Sequence, residues 1–273
     1  MDLMNLMEIY RQQGERSLIE ALYAGGWEDR RLGSQAGRVE FLTTMRVLAD
    51  YLRPGMKILD LGAGTGAYTL PLAAAGCAVD AVELSEENAA LLRGKVQPGQ
   101  PVRVFCQSAA DLADFPSGAY DIVLVMGPLY HLHDQAERRA CLREALRVCR
   151  ADGVLLFAYI SNDMVPLTEC QYRDFFNPAG DITYDPETFQ VENFPFVFLT
   201  LDAMRRELAD NGVQVLREVA SDGVSELMAD TINAMGEASY EAYLKYHFYC
   251  CEKPEMLGRS NHLLFVGRRR ESN

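Results

Sequence analysis

Seven short apolar runs punctuate the chain, at residues 56–61, 79–83, 102–106, 120–126, 154–160, 213–219 and 262–266. Those at 56–61 and 154–160 do not alternate apolar with polar residues as half-exposed strands do. Runs such as Ile58-Leu59 or Val154-Leu155-Leu156-Phe157 call for cover on both faces, which is the habit of parallel strands. Stretches of helical spacing lie between them, over 67–75, 86–95, 135–149 and 201–211. Ser85 is placed to cap the second of these, with Glu86, Glu87 and Asn88 in its first turn, and Gly212 stops the last. Strands alternating with helices predict an α/β chain built from βαβ units.

Three regions depart from this alternation. Residues 3–13, 17–23 and 38–52 read as helices ahead of the first strand; in the last of them Val39, Leu42, Met45, Leu48, Ala49 and Leu52 share a face, and Pro54 ends it. Residues 161–199 lose all period. They hold prolines at 166, 178, 186 and 195 and a run of aromatics from Phe175 to Phe198, which predicts a lid over the active-site end of the sheet or a partner surface. From Val224 onwards Leu227, Met228, Thr231, Ile232 and Met235, then Tyr240, Tyr243, Tyr246 and Tyr249, recur at helical spacing and mark an insertion over 222–258.

The turn after the first run carries Gly62, Gly64 and Gly66, which let the backbone turn sharply and approach a ligand, with helix N–H groups facing the same spot. Glu83 ends the second run 19 residues after Gly64, about where a βαβ unit places a carboxylate on ribose hydroxyls. Together they read as a nucleoside site. Asp60 helps to choose the nucleoside. A pyrophosphate on the turn would be repelled by an acid just before the first glycine, whereas a ligand with an ammonium and a sulfonium would be favoured.

An acid, one residue and then G-x-G-x-G, met here by Asp60, Gly62, Gly64 and Gly66, resembles the motif of the class I S-adenosylmethionine (SAM)-dependent methyltransferases. The likeness covers 55–219 and the last run; the stretch Leu-Arg-Glu-Ala-Leu-Arg-Val-Cys-Arg-Ala-Asp-Gly-Val-Leu-Leu-Phe is similar to the superfamily's fifth-strand region. The resemblance implies a doubly wound, mostly parallel seven-stranded sheet whose antiparallel last strand hairpins back beside the strand before it. It also implies a cap of N-terminal helices over 1–53 and a SAM-binding domain over 54–273. Tyr10, Tyr23, Trp27 and Arg38 are candidates to shape a substrate pocket from that cap.

The implied contacts to SAM, whose product is S-adenosylhomocysteine, fall on Asp60, Gly62, Ala63, Gly64, Gly66, Glu83, Leu84, Ser108, Ala109, Asp111, Met126 and Gly127. Ser108 stands where the superfamily usually has an acid for adenine, so Ser108, Asp111 or backbone alone could make that contact. The loop 127–132 follows the fourth strand beside the transferred methyl group, and its Tyr130 and His131 are candidate catalytic residues, as a base or as a wall against the methionine moiety. Gly127-Pro128-Leu129-Tyr130 lacks the polar start of the motif that methylates adenine or amide nitrogens. Asn162-Asp163 reverses the acid–amide order of metal-dependent catechol methylation, so no metal is expected. The expected activity is methyl transfer to an oxygen, nitrogen or carbon of a small molecule. A nicotinamide-dependent reductase and a SAM-binding protein without catalysis, acting in an assembly, stay open beside it.

Composition changes this picture in three ways. At 273 residues the chain can bury a full core. Its net charge of −13, from 26 basic and 39 acidic residues, would repel a phosphate backbone, and the dense basic cluster at Arg268 to Arg270 reads as a solvated tail. The first residues lack the basic region of a signal peptide and no apolar run is long enough to span a membrane, so a cytoplasmic protein is expected, alone or as a homodimer. Seven cysteines without a Cys-x-x-Cys pair argue against a disulfide framework, and His247, Cys250 and Cys251 read as helix core.

Overall fold

A computed structural model describes residues 3–23, 33–177 and 184–270; Trp27 and Pro178 lie outside the described residues. Helices α1 (Leu3–Gln13), α2 (Glu15–Tyr23) and α3 (Gln35–Ala49) precede β1 (Lys57–Leu61), α4 (Thr69–Ala74), β2 (Ala78–Glu83), α5 (Glu86–Lys95) and β3 (Val102–Cys106). Then come β4 (Tyr120–Val125), the single turn α6 (Pro128–His131), α7 (Gln135–Val148), β5 (Cys149–Ser161), α8 (Val165–Glu169) and β6 (Phe198–Leu199). The chain closes with α9 (Leu201–Asp210), β7 (Val213–Ala220), α10 (Ala229–Asn233), α11 (Glu237–Cys250), α12 (Pro254–Leu257) and β8 (His262–Arg269).

The strands form one sheet in the order β3-β2-β1-β4-β5-β8-β7, with β6 paired to the end of β5. β1, β2, β3, β4 and β5 run parallel, while β8 lies antiparallel between β5 and β7. This is the expected mostly parallel sheet with an antiparallel last strand, enlarged to eight strands by the two residues of β6. Ile58, Leu59 and Leu61 of β1, Val123 to Val125 of β4 and Leu155 to Phe157 of β5 are fully or almost fully buried, since helices cover both faces. Because β8 is reversed, its first residue, His262, sits opposite Ile160 at the carboxyl ends of the parallel strands. Among the described residues no helix is long and apolar enough to cross a membrane.

Several local expectations need correction. The fourth-strand loop is in fact the helical turn α6, started by Pro128, whose fixed φ suits a first helical position. The expected turn at 151–153 is a bulge inside β5, since Tyr120 of β4 pairs with Cys149 and Ile122 with Val154. A Cβ on Gly153 would lie 2.6 Å from Cys149 Sγ and 2.9 Å from the Asp121 carbonyl, so only glycine lets the strands approach there. Helix α3 stops at Ala49, ahead of Pro54, and its buried strip runs through Val39, Glu40, Thr43, Thr44, Val47 and Leu48, because Thr43 Oγ1 meets His247 Nε2 of α11 at 2.9 Å. Residues 224–228 are turns, since the Asp222 carboxylate is drawn to Ser260 and His262 instead of capping a helix. Arg268 and Arg269 belong to β8, where Arg269 donates to the Leu146 carbonyl, so the basic cluster is no tail.

The aromatic segment is packed in part, while Tyr172, Phe176 and Phe189 stay exposed. Phe175, Val191 and Phe198 form a second core with Ile160 and Val165, flanked by Tyr130, Tyr184 and Phe196. Asn162 pins it: its Oδ1 accepts from Val191 N at 2.8 Å and its Nδ2 donates to the Phe189 carbonyl at 3.1 Å. Val197 N donates to the Tyr130 carbonyl at 2.9 Å, which ties the segment to α6.

Candidate functional site

The glycine turn closes over the carboxyl ends of β1 and β2. Gly62, Gly64 and Gly66 adopt φ of 78°, 54° and 97°, in the left-handed region. Gly62 and Gly66 serve packing as well, since Cβ atoms there would lie 2.7 Å from Pro128 Cδ and 2.4 Å from Leu92 Cδ1. A Cβ on Gly64 would meet nothing within 4 Å and would project into a cleft.

Gly62, Ala63, Gly64, Glu83, Leu84, Ser108, Ala109, Met126, Gly127, Tyr130 and His131 all line this cleft. Asp60, Gly66 and Asp111 do not. Gly66 packs against Leu92 and Leu70. Asp111 is exposed and accepts from Ala113 N at 3.3 Å, so its side chain serves its own turn, while Ser108 Oγ accepts from Ala110 N at 3.2 Å. Asn88, Gln107, Tyr68, Ile19 and Glu40 also line the cleft and were not singled out by motif. Asn88 and Gln107 each follow a strand's carboxyl end by a few residues, which is the signal that marks them; Ile19 and Glu40 arrive from helices with no local cue.

Glu83 is buried, and both carboxylate oxygens are fixed: Oε2 accepts from Gly64 N and Oε1 from Ser85 N, each at 2.8 Å. Burial raises its pKa, opposed by the hydrogen bonds from Ser85, Gly64 and Asn88. Asp60 lies under the turn with no exposed surface. Its Oδ2 accepts the Thr69 hydroxyl at 2.6 Å and its Oδ1 has no partner. Burial pushes its pKa up to about 6, and the nearby Glu83 charge adds to the rise against the Thr69 hydrogen bond. Two acids are thus held close together, and no Lys or Arg lines the cleft among the described residues. A carboxylate with an orphaned oxygen beside a second carboxylate suits a cationic ligand and would repel a pyrophosphate. The donor set fits SAM.

At the other wall, Tyr23 Oη lies 2.8 Å from His131 Nε2, while His131 Nδ1 is buried without a partner. Burial, then the neighbouring His133, holds the His131 pKa down at about 3, so the ring stays neutral. Tyr130 Oη donates to the Met126 carbonyl at 3.3 Å. Glu15 of α2 accepts from His133 N at 3.1 Å and the Tyr10 ring lies 5.0 Å from that of His133, which ties both helices to the segment after α6; of the two, α2 reaches the cleft, through Ile19 and Tyr23. Arg38 is exposed and lines neither this cleft nor the cavity beside it. Tyr23 and Tyr130 also line a second cavity, walled by Ile160, Val165, Tyr172, Phe196 and Phe198 and holding Asp222, Glu226 and His262. Tyr23 and Tyr130 are therefore walls common to both cavities.

A glycine turn over strand ends, a buried carboxylate in the cleft wall and a second beneath it stand at the carboxyl ends of an α/β sheet. The family described as a methyltransferase domain matches residues 59–157. A demethylmenaquinone methyltransferase of Corynebacterium urealyticum is 32% identical over 169 residues, which is 59% of this chain and 69% of that protein. A ubiquinone biosynthesis O-methyltransferase of Aromatoleum aromaticum is 34% identical over 110 residues, 40% of this chain and 46% of its own length. The chain spans about half the length of most curated relatives it matches. In fold it resembles the 1,6-didemethyltoxoflavin N1-methyltransferase of Burkholderia thailandensis, solved with bound 1,6-didemethyltoxoflavin and S-adenosylhomocysteine; the TM-score is 0.56 over 99% of this chain and 92% of that one, at 14% identity. The chain belongs to the class I SAM-dependent methyltransferases.

Proposed function

We propose that this methyltransferase passes the SAM methyl group to an oxygen, nitrogen or carbon of a small aromatic acceptor. The observation that carries the reading is the pair of chambers that share the walls Tyr23 and Tyr130. One has the glycine turn and two acids; the other has walls of Tyr172, Phe196 and Phe198, and Tyr23 and Tyr130 stand between them. An aromatic-walled cavity with a few polar groups is what a flat, mostly apolar ligand needs. The relatives named for demethylmenaquinone and for ubiquinone biosynthesis point the same way. A net charge of −13 disfavours a nucleic acid as acceptor.

In this reading Glu83 accepts from the ribose hydroxyls with its remaining lone pairs, each oxygen already steadied by one backbone N–H. Gly62, Ala63 and Gly64 bring backbone against the nucleoside, Leu84, Ser108 and Ala109 bracket the base, and Met126 and Gly127 floor the methionine end. Asp60 offsets the ligand's positive charge from beneath. SAM supplies an electrophilic methyl group and leaves as a neutral thioether, so no acid is required for departure. The chain's own work is to align the acceptor and exclude water. Tyr130 and His131 form the wall where donor and acceptor meet; His131, neutral and bonded to Tyr23, holds that wall and is ill suited to keep a proton.

The test is transfer of labelled methyl from SAM to a panel of hydroquinones, catechols and aromatic amines. A methylated product from one of these classes is expected. Label appearing only in added protein or RNA would refute the reading.

A further inference from the structure

We propose that the second cavity binds its acceptor as an aryl-alkyl ammonium ion, with Glu226 accepting from the charged N–H groups and the aromatic walls holding the ring. This rests on the small aromatic acceptor proposed above and narrows it to one that carries a basic amine.

The cavity has a volume of about 300 Å³ and is bounded by rings and by acids. Phe196 meets Tyr130 at 6.2 Å and 80° and Phe198 at 6.3 Å and 77°, so these rings stand near right angles to one another. Such walls hold an aromatic ligand by edge and face, and a cation within about 6 Å of a ring face is attracted by its quadrupole. Apart from the tyrosines, the titratable groups of the lining are Asp222, Glu226 and His262, and no Lys or Arg lines it among the described residues.

The charges do not cancel. His262 Nδ1 lies 2.8 Å from Asp222 Oδ2, and Asp222 Oδ1 accepts from Ser260 Oγ at 2.5 Å, so both oxygens of this acid are committed. Burial pushes the Asp222 carboxyl up, but the charge and hydrogen bond of His262, with Ser260, outweigh it and hold the pKa low, so Asp222 and His262 stand as an ion pair. Glu226 is left over: its Oε2 accepts from the neutral amide of Asn261, and no Lys or Arg among the described residues pairs with it. Glu40 is a third carboxylate at the imidazole, 3.7 Å from Nδ1, so even a protonated His262 leaves carboxylate in excess. The same sign prevails around Tyr172, which is 70% exposed: its phenol is pushed up by burial and then by the charges of Glu226, Glu169 and Asp230, of which Glu169 is offset by Arg173 at 2.5 Å. The start of α3 lines the cavity too, yet Ala36 N and Gly37 N are taken by Asn233 Oδ1 at 2.9 Å and Ser34 Oγ at 3.0 Å. An anionic ligand thus finds neither a side-chain cation in excess nor these N–H groups, whereas an ammonium finds a carboxylate and ring faces.

Glu226 lines the second cavity and not the cleft over β1 and β2, while Tyr130 lines both. An ammonium on Glu226 is therefore held away from the methyl donor, and the ring extends from it toward Tyr130, where the atom to be methylated lies. Glu226 is a binding residue, at which no bond forms or breaks. Asp222, Glu226 and His262 bring ligand atoms within 4.8 Å of one another, as a metal would require, but a metal would compete with the Asp222–His262 pair and with Ser260 for the same oxygens, which an ammonium on Glu226 leaves in place.

Calorimetric titration of the full chain, loaded with S-adenosylhomocysteine at neutral pH, with 2-phenylethylamine, 2-phenylethanol and 3-phenylpropanoate separates the charge from the ring. The amine should bind tightest and the carboxylate weakest. Glu226→Gln should weaken the amine roughly ten- to a hundred-fold and leave the alcohol as it was, the scale of a hydrogen bond between charged groups. S-adenosylhomocysteine bound as by the wild type marks the variant as folded. Amine and alcohol bound equally by the wild type, the carboxylate bound best, or an equal loss of amine and alcohol in Glu226→Gln would overturn the ammonium site and leave the aromatic pocket standing. Failure of all three to bind would sink the aromatic acceptor and the ammonium site together. If Glu226→Gln does not fold, the order of the three ligands on the wild type decides.

Discussion

If Asp60 offsets the charge of SAM as proposed, affinity for SAM should depend on pH in a way that few surface groups could imitate. Its ordinary pKa is 3.8 and burial raises it to about 6 in the ligand-free fold, a rise of about two units. At about 1.4 kcal/mol per unit, the ionised form weighs against that fold by about 3 kcal/mol. The sign follows from the direction: the folded protein holds the proton more tightly than the unfolded chain, so the cost is absent below pH 3.8, grows as pH rises, and is complete above about 6. A cationic ligand that returns the pKa to its ordinary value recovers this energy, so binding should tighten as pH rises, by up to roughly a hundred-fold. Titration calorimetry with SAM between pH 5 and 7 stays below the ligand's own amino titration near ~7.8. Affinity should rise by up to about tenfold per unit at the acidic end and level off near neutrality. Asp60→Asn should flatten that slope and weaken binding at pH 7, while Glu83→Gln should leave much of the slope in place. An equal slope in Asp60→Asn, or no slope in the wild type, would refute the role given to this acid.

Glu83→Ala removes the acceptor for Gly64 N and Ser85 N as well as for the ribose. Hydrogen bonds to a charged group are worth ~1.5–3 kcal/mol, so calorimetry should show SAM weakened roughly ten- to a hundred-fold, with a lower melting temperature as well. Gly64→Asp places a side chain in the open space of the cleft and should abolish SAM binding with the circular dichroism spectrum intact. Gly62→Ala instead meets Pro128 Cδ at 2.7 Å, so thermal unfolding should show it to be the more destabilising of the two.

The parallel core was legible because its cues are local. The run at Ile58 to Leu61, the three glycines, Glu83 and the Ser85 cap each state their role within one βαβ unit, and Ser85 Oγ accepts from Asn88 N as expected. What failed to show depends on distance or direction. Counting histidines at strand carboxyl ends singled out His131 and His133, because His262 opens a strand; only the reversal of β8 brings that start to the same edge. The helical spacing of Val224 to Met235 hid a turn whose shape is set by Ser260 and His262, more than thirty residues away. Of the aromatics of 161–199, Asn162 and Val165 gather Phe175 and Phe198 with Val191 into a second core, while Tyr172, Phe176 and Phe189 keep the exposure that the segment suggests. Asp60 was read as touching the ligand, yet it lies beneath the turn with its Oδ1 orphaned, a detail of burial that no motif carries.

The central claim is that the cleft over β1 and β2 holds a cationic nucleoside. Mass spectrometry of the protein as purified under native conditions tests it directly, with calorimetric titration by S-adenosylhomocysteine, SAM and NAD on the same sample. One equivalent of SAM or its demethylated product is expected, lost in Gly64→Asp, with no measurable affinity for NAD. Bound NAD, or binding that survives Gly64→Asp unchanged, would contradict the account.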